Sequence, residues 1–147
     1  MLERIVVGTD GSDTATEAVR QAIELAKLTG AKLEIVAAFE PVSQTRLREE
    51  QGEAPGDVAY AVGPREDVNV TLDGAVGMAK QQGVEAKPNP REGDPADAIL
   101  DVAEEQGADL IVVGNKGMTG AKRFLLGSVP NKVSHHAPCS VMIIRTT

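Results

Sequence analysis

One grammar occurs three times along the chain: a helix-like stretch of small apolar residues, a glycine, then a strand-like segment. Ser12 to Thr29 sets Ala15, Ala18, Val19, Ala22 and Ala26 on one helical face; Gly30 follows, and Lys32 to Phe39 reads as a strand. Asp67 to Gln82 repeats the pattern with Val68, Leu72, Ala75, Val76 and Ala79, then Gly83. Asp94 to Gln106 has the clearest punctuation, with Asp94 as N-cap, Pro95 at the first helical position and Gly107 at the end. The apolar run Leu110-Ile111-Val112-Val113 that follows is typical of a strand buried on both faces. A first strand over Arg4 to Thr9, a last strand over Ser140 to Arg145 and a helix from Ser128 to about His136 complete the pattern. Strands alternating with helices imply an α/β fold with a parallel, doubly wound sheet and right-handed crossovers. No fixed period marks the units as a solenoid.

Length and composition fit this expectation. The 147 residues are typical of one domain, taken here as 1–147. Aromatics make up only 2%, so the core must be built from Val, Ile, Leu and Ala. The net charge of -7 argues against nucleic acid as a partner, since a nucleic-acid face must be basic. It leaves room for a small anion, which backbone N–H groups can hold. Cys139 is the single cysteine, so no intrachain disulfide forms. No apolar run approaches the roughly 20 residues that span a bilayer, and Met1 to Val7 reads as a strand rather than a signal peptide. A cytoplasmic location with no membrane partner is the expectation. Two stretches interrupt the grammar. Residues 40–65 are polar and rich in Gly, Pro and charge, which suits a functional lid or a disordered loop. Asn115 to Leu126 is the second.

Ligands of open α/β sheets sit beyond the carboxyl ends of the strands, where strand order reverses. Two loops have the chemistry for such a place: Gly8-Thr9-Asp10-Gly11-Ser12 after the first strand, and Gly114-Asn115-Lys116-Gly117 after the fourth. Glycines let a backbone approach a phosphate closely. Gly127-Ser128 precedes a helix whose first turn would attract an anion, with Ser128 as its cap. Neither G-x-x-x-x-G-K-[ST] nor a G-x-G-x-x-G after the first strand occurs, which argues against a P-loop NTPase and a dinucleotide-dependent dehydrogenase.

The spacing Gly114-x2-Gly117-x9-Gly127-Ser128 resembles the G-2x-G-9x-G-[ST] nucleotide-binding pattern of the universal stress protein family. Ile5 to Ser12, Ala108 to Gly114 and His136 to Val141 also resemble that family's wording. The resemblance implies an open, twisted five-stranded parallel sheet of order 3-2-1-4-5 with helices on both faces. It also implies an adenine nucleotide, ATP first, in a stress-response sensor or regulatory module. Carried over by position, Asp10 would hold the ribose or lie beside adenine, with Thr9, Gly11 and Ser12 along the same edge. Ala38 would meet the base through its backbone and Val113 would pack on it. Gly114, Asn115, Gly117, Gly127, Ser128 and Val129 would surround the ribose and phosphates, and Lys116 would steer a phosphate. Asn115-Lys116 and Pro130 depart from the commonest family wording, and Pro130 has no N–H to offer. A family branch that binds cyclic AMP shares similar wording, so cyclic AMP stands as the alternative ligand. Mg²⁺ or Mn²⁺ would enter only through the phosphates. The family also implies a homodimer through the last strand, where Val141, Met142, Ile143 and Ile144 would form a hydrophobic edge.

A catalyst is harder to find. No general base or in-line nucleophile positioner is evident, which favours a binding module over an enzyme, with weak ATP hydrolysis as the alternative. His135-His136 lack spaced metal-ligating partners and suit a helix C-terminus. Cys139, beside Pro138, reads as a structural thiol. Adjacent Glu49-Glu50 and Glu104-Glu105 do not face each other on a helix and read as solvated surface. Lys122 and Arg123 suit either phosphate contact or solvation.

Overall fold

The computed structural model describes residues 2–39, 64–115 and 127–146. Five strands and four helices alternate: β1 (Arg4–Gly8), α1 (Asp13–Thr29), β2 (Lys32–Phe39), α2 (Pro64–Gln81), β3 (Ala86–Glu92), α3 (Pro95–Gln106), β4 (Leu110–Gly114), α4 (Ser128–His136) and β5 (Ser140–Ile144). All strand pairs are parallel and the sheet order is β3-β2-β1-β4-β5. This is the expected 3-2-1-4-5 arrangement, with strand order reversing between β1 and β4.

The side-chain alternation of the strands builds two cores. Ile5 and Val7 of β1, Leu33 and Ile35 of β2 and Val112 of β4 point to one face, under α1 and α2. Val6, Val36, Ile111 and Val113 point to the other, under α3 and α4. Ala15, Ala18, Val19, Ala22 and Ala26 of α1 are all buried, joined by Ile23. Both cores are built from Ala, Val, Ile and Leu without an aromatic among their described buried residues.

The helix ends follow their residues. Ser12 caps α1 through its hydroxyl, which accepts the Ala15 N–H at 3.3 Å, and Asp94 caps α3 through the Asp97 N–H at 3.0 Å. Such caps stabilise by about 1 kcal/mol each. Gly30 and Gly107 end these helices in the left-handed conformation.

Two boundaries differ from expectation. Helix α2 starts at Pro64 rather than Asp67, so the expected loop 40–65 ends in helix. Proline at the first position followed by Glu66 and Asp67 is a favourable helix start, but the apolar periodicity begins only at Val68. Ser128 is the first residue of α4 rather than its cap. Gly127 takes the N-cap position, and no side chain caps this helix. Residues 40–63 of the expected loop lie outside the described residues.

One ionisable group is buried in the sheet. Glu34 of β2 is only 2% exposed and accepts a hydrogen bond from Asn89 Nδ2 of β3 at 3.2 Å. A buried carboxylate without a donor would be costly, and Asn89 on the neighbouring strand meets that need.

Candidate functional site

The two loops singled out in the sequence come together because β1 and β4 are neighbours. Ile5, Val6 and Val7 pair with Leu110, Ile111 and Val112. A clamp at the opposite end of these strands reinforces their register. Asp109 Oδ2 accepts the N–H groups of Glu3 at 2.8 Å and Arg4 at 3.0 Å, while the Asp109 N–H donates to the Arg4 carbonyl at 2.9 Å. These two backbone donors hold the Asp109 carboxyl below its ordinary range. Asp109 lies within the segment that carries the family resemblance, but its role depends on a contact between residues more than a hundred positions apart.

The loop after β1 is tightly folded. The Thr9 N–H donates to the Val36 carbonyl at 2.9 Å, and Thr9, 2% exposed, accepts the Gly11 N–H on its hydroxyl at 3.1 Å. Asp10 is exposed, and its Oδ1 accepts the Ser12 N–H at 2.9 Å. This Asx turn sets the carboxylate at the mouth of the loop, beside the start of α1. Gly11 has φ of 84° and lies against Thr71 of α2. A cleft of about 250 Å³ between α1 and α2 borders the outer side of this loop, with Thr9, Gly11, Val19, Thr71, Ala75 and Met78 among its walls. None of its lining residues comes from β4 or α4, so it is distinct from the crevice between the two loops.

The loop after β4 is joined to α4 by the main chain. The Gly127 N–H donates to the Asn115 carbonyl at 3.0 Å, which ties together the two separated halves of the glycine pattern. The Asn115 N–H donates to the Ile144 carbonyl at 2.9 Å. Its side chain accepts both the Thr146 N–H, at 2.9 Å, and the Thr146 hydroxyl, at 3.0 Å. Nothing in the sequence marked Thr146 as part of this region. Gly114 approaches the first turn of α1: a Cβ added to it would meet the Thr14 carbonyl oxygen at 3.6 Å, an ordinary contact.

Val113 is buried beneath the crevice and Ala38 is half-buried near the end of β2. Val129 and Pro130 are buried at the start of α4. Lys132 anchors this helix to the start of α3, with Nζ 2.8 Å from Asp97 and 3.5 Å from Asp94. Lys116, Gly117, Met118, Lys122, Arg123 and Phe124 lie outside the described residues, as do Glu49 and Glu50.

The remaining groups supply no catalytic constellation among the described residues. His135 and His136 are exposed in the last turn of α4, and among the described residues no group of three or more His, Cys, Asp or Glu is placed to hold a metal. Burial pushes the Cys139 thiol up, assisted by the Asp109 charge, which disfavours the thiolate. Glu105 pairs with Arg91 at 2.9 Å on the surface.

A family model described as the universal stress protein family matches residues 1–145. The chain belongs to this family. This universal stress protein is 37% identical over 144 residues to the universal stress protein Rv1636 of Mycobacterium tuberculosis, covering 97% of this chain and 96% of that one. Among solved structures it is similar to a universal stress protein crystallised in complex with cAMP, at 35% identity and a TM-score of 0.73, with 99% of each chain covered. It is also similar to the universal stress protein from Archaeoglobus fulgidus in complex with dAMP, at 28% identity and a TM-score of 0.68, covering 98% of this chain and 99% of that one. No described helix of this universal stress protein is long and apolar enough to cross a membrane.

Proposed function

We propose that this universal stress protein is a regulatory module that binds an adenine nucleotide in the crevice between the loops after β1 and β4. The observation that carries this reading is the Gly127 N–H to Asn115 carbonyl bond of 3.0 Å. It brings the start of α4 to the residue after β4, whose Gly114 approaches the first turn of α1. Neither Gly114 nor Gly127 has a positive φ, so backbone conformation does not demand glycine at either position. Their use is to leave room for a close approach by phosphate. Asp10 takes the ribose, Val113 and Ala38 support the base, and the start of α4 receives the phosphate.

Within this class we favour a nucleotide with a single phosphate, cyclic AMP first, over ATP. The Gly127 N–H is committed to Asn115 and Pro130 has none, so two of the first four backbone positions of this helix start have no donor for a phosphate. The complexes of the relatives with cAMP and dAMP support the same preference. Any Mg²⁺ or Mn²⁺ would be held through a ligand's phosphates.

We also propose a homodimer through β5. The sheet's two edges differ chemically. β3 carries Pro88 and Pro90, which have no N–H for a further strand. β5 carries Val141 and Ile143, both half-buried, and Met142, 40% exposed, an apolar edge open to pairing.

Titration calorimetry with ATP, ADP, AMP and cyclic AMP tests the nucleotide reading. Tightest binding of cyclic AMP is the expected result; heat from none of the four would overturn it.

A further inference from the structure

Asn115 sits where the two halves of the phosphate loop meet, yet its mapped hydrogen bonds lead elsewhere. The residue is 6% exposed. Its N–H reaches the Ile144 carbonyl, its Oδ1 accepts two hydrogen bonds from Thr146, and its carbonyl accepts the Gly127 N–H. Four hydrogen bonds of 2.9–3.0 Å therefore join three points: the end of β4, the segment after the edge strand β5, and the start of α4. With its side-chain oxygen filled by Thr146, Asn115 has no acceptor to offer a ribose hydroxyl, and only its Nδ2 could donate to a phosphate. What it does control is where the Gly127 main chain lies.

We propose that Asn115 is a positioning residue, and that through it Thr146 sets the position of the phosphate-binding start of α4. The inference rests on the nucleotide reading above and assigns to the Asn115 side-chain oxygen action at one remove rather than direct contact. The physical basis is the asymmetry of buried hydrogen bonds: one that forms contributes modestly, but a buried partner left without it bears its full desolvation cost. Removing the carboxamide leaves the Thr146 N–H and hydroxyl to seek water. Asn115 then keeps only its main-chain links, and Gly127 follows its movement.

The test is a double-mutant cycle read by calorimetry with cyclic AMP and ATP. Asn115→Ala should weaken binding about tenfold and Thr146→Ala, which removes one hydrogen bond, about threefold. The double variant should bind no more weakly than Asn115→Ala alone, because the Thr146 hydroxyl has no acceptor once the carboxamide is gone. Thr146→Ser, which keeps the hydroxyl, should restore wild-type affinity. Wild-type affinity in Thr146→Ala, or losses in the double variant that multiply, would overturn the proposal, the second outcome pointing to direct contact between Asn115 and the ligand. If Asn115→Ala fails to fold, the Thr146→Ala and Thr146→Ser pair still decides. Amide hydrogen exchange at Gly127 separates this proposal from the nucleotide reading. Without any ligand, exchange should be faster in Asn115→Ala and in Thr146→Ala than in wild type; unchanged exchange would remove the clamp even if nucleotide binds.

Discussion

Replacing Gly11 by alanine separates two costs that the turn after β1 combines. Gly11 has φ of 84°, in the left-handed region where a Cβ costs about 1–2 kcal/mol. That Cβ would also stand 3.0 Å from Thr71 Oγ1 and 3.4 Å from Thr71 Cγ2, and overpacking of this kind adds roughly 1–3 kcal/mol. Gly30 is the internal control: its φ is 76° and a Cβ there meets nothing within 4 Å. Gly11→Ala is therefore expected to lose about 2–5 kcal/mol in urea unfolding, against about 1–2 kcal/mol for Gly30→Ala. Thr71→Ala removes both crowding atoms and leaves only the Thr71 Cβ, at 3.8 Å. Measured in that background, the Gly11→Ala loss should fall to the Gly30→Ala value. Equal losses for the two glycine variants in the wild-type background, or no relief from Thr71→Ala, would refute the claim that α2 packs against this turn.

Three further outcomes are expected. Gly127→Asp should lower nucleotide affinity by more than about 100-fold through charge repulsion, while circular dichroism stays native, because φ -64° and ψ 167° suit any residue and Asp is a good N-cap. Asp109→Asn should lower the melting temperature at neutral pH, and the gap to wild type should close as the pH falls below about 4. The sign follows from the lowered Asp109 value: its stabilisation is present above the unfolded carboxyl range and is lost as pH falls through the folded value. A gap that persists unchanged at pH 2 in thermal melts would contradict this. Met142→Lys, at a position 40% exposed on β5, should convert a dimer to a folded monomer in sedimentation velocity; an unchanged dimer would place the interface elsewhere.

Much of the fold was legible because its signals are local. Alanine spacing in α1, the Asp94-Pro95 start and Gly107 end of α3, and the four-residue apolar run of β4 each act within a few positions, and all are observed. Periodicity places the start of α2 too late because Pro64, Glu66 and Asp67 favour a helix start without adding to an apolar stripe. Ser128 reads as a cap in the sequence because Gly127 and Ser128 are both acceptable there, and only backbone geometry distinguishes the cap from the first helical residue.

The site divides along the same line. Glycine spacing, the Asp10-Gly11 turn and the missing N–H of Pro130 are properties of residue type; they mark an anion site, and the family resemblance of the same segments implies an adenine nucleotide. It could not reveal that Asp109 pins β1 to β4 at the far end, that Thr71 packs on Gly11, or that Asn115 is held by Thr146. Those partners lie between 31 and 106 residues away along the chain for the hydrogen bonds, where no periodicity or motif reaches. The sequence determined which residue types stand in the two candidate loops, because turn and helix chemistry is written locally. Only the tertiary structure decided that the Gly127 and Asn115 N–H groups are committed within the protein, because those hydrogen bonds join segments that the fold brings together.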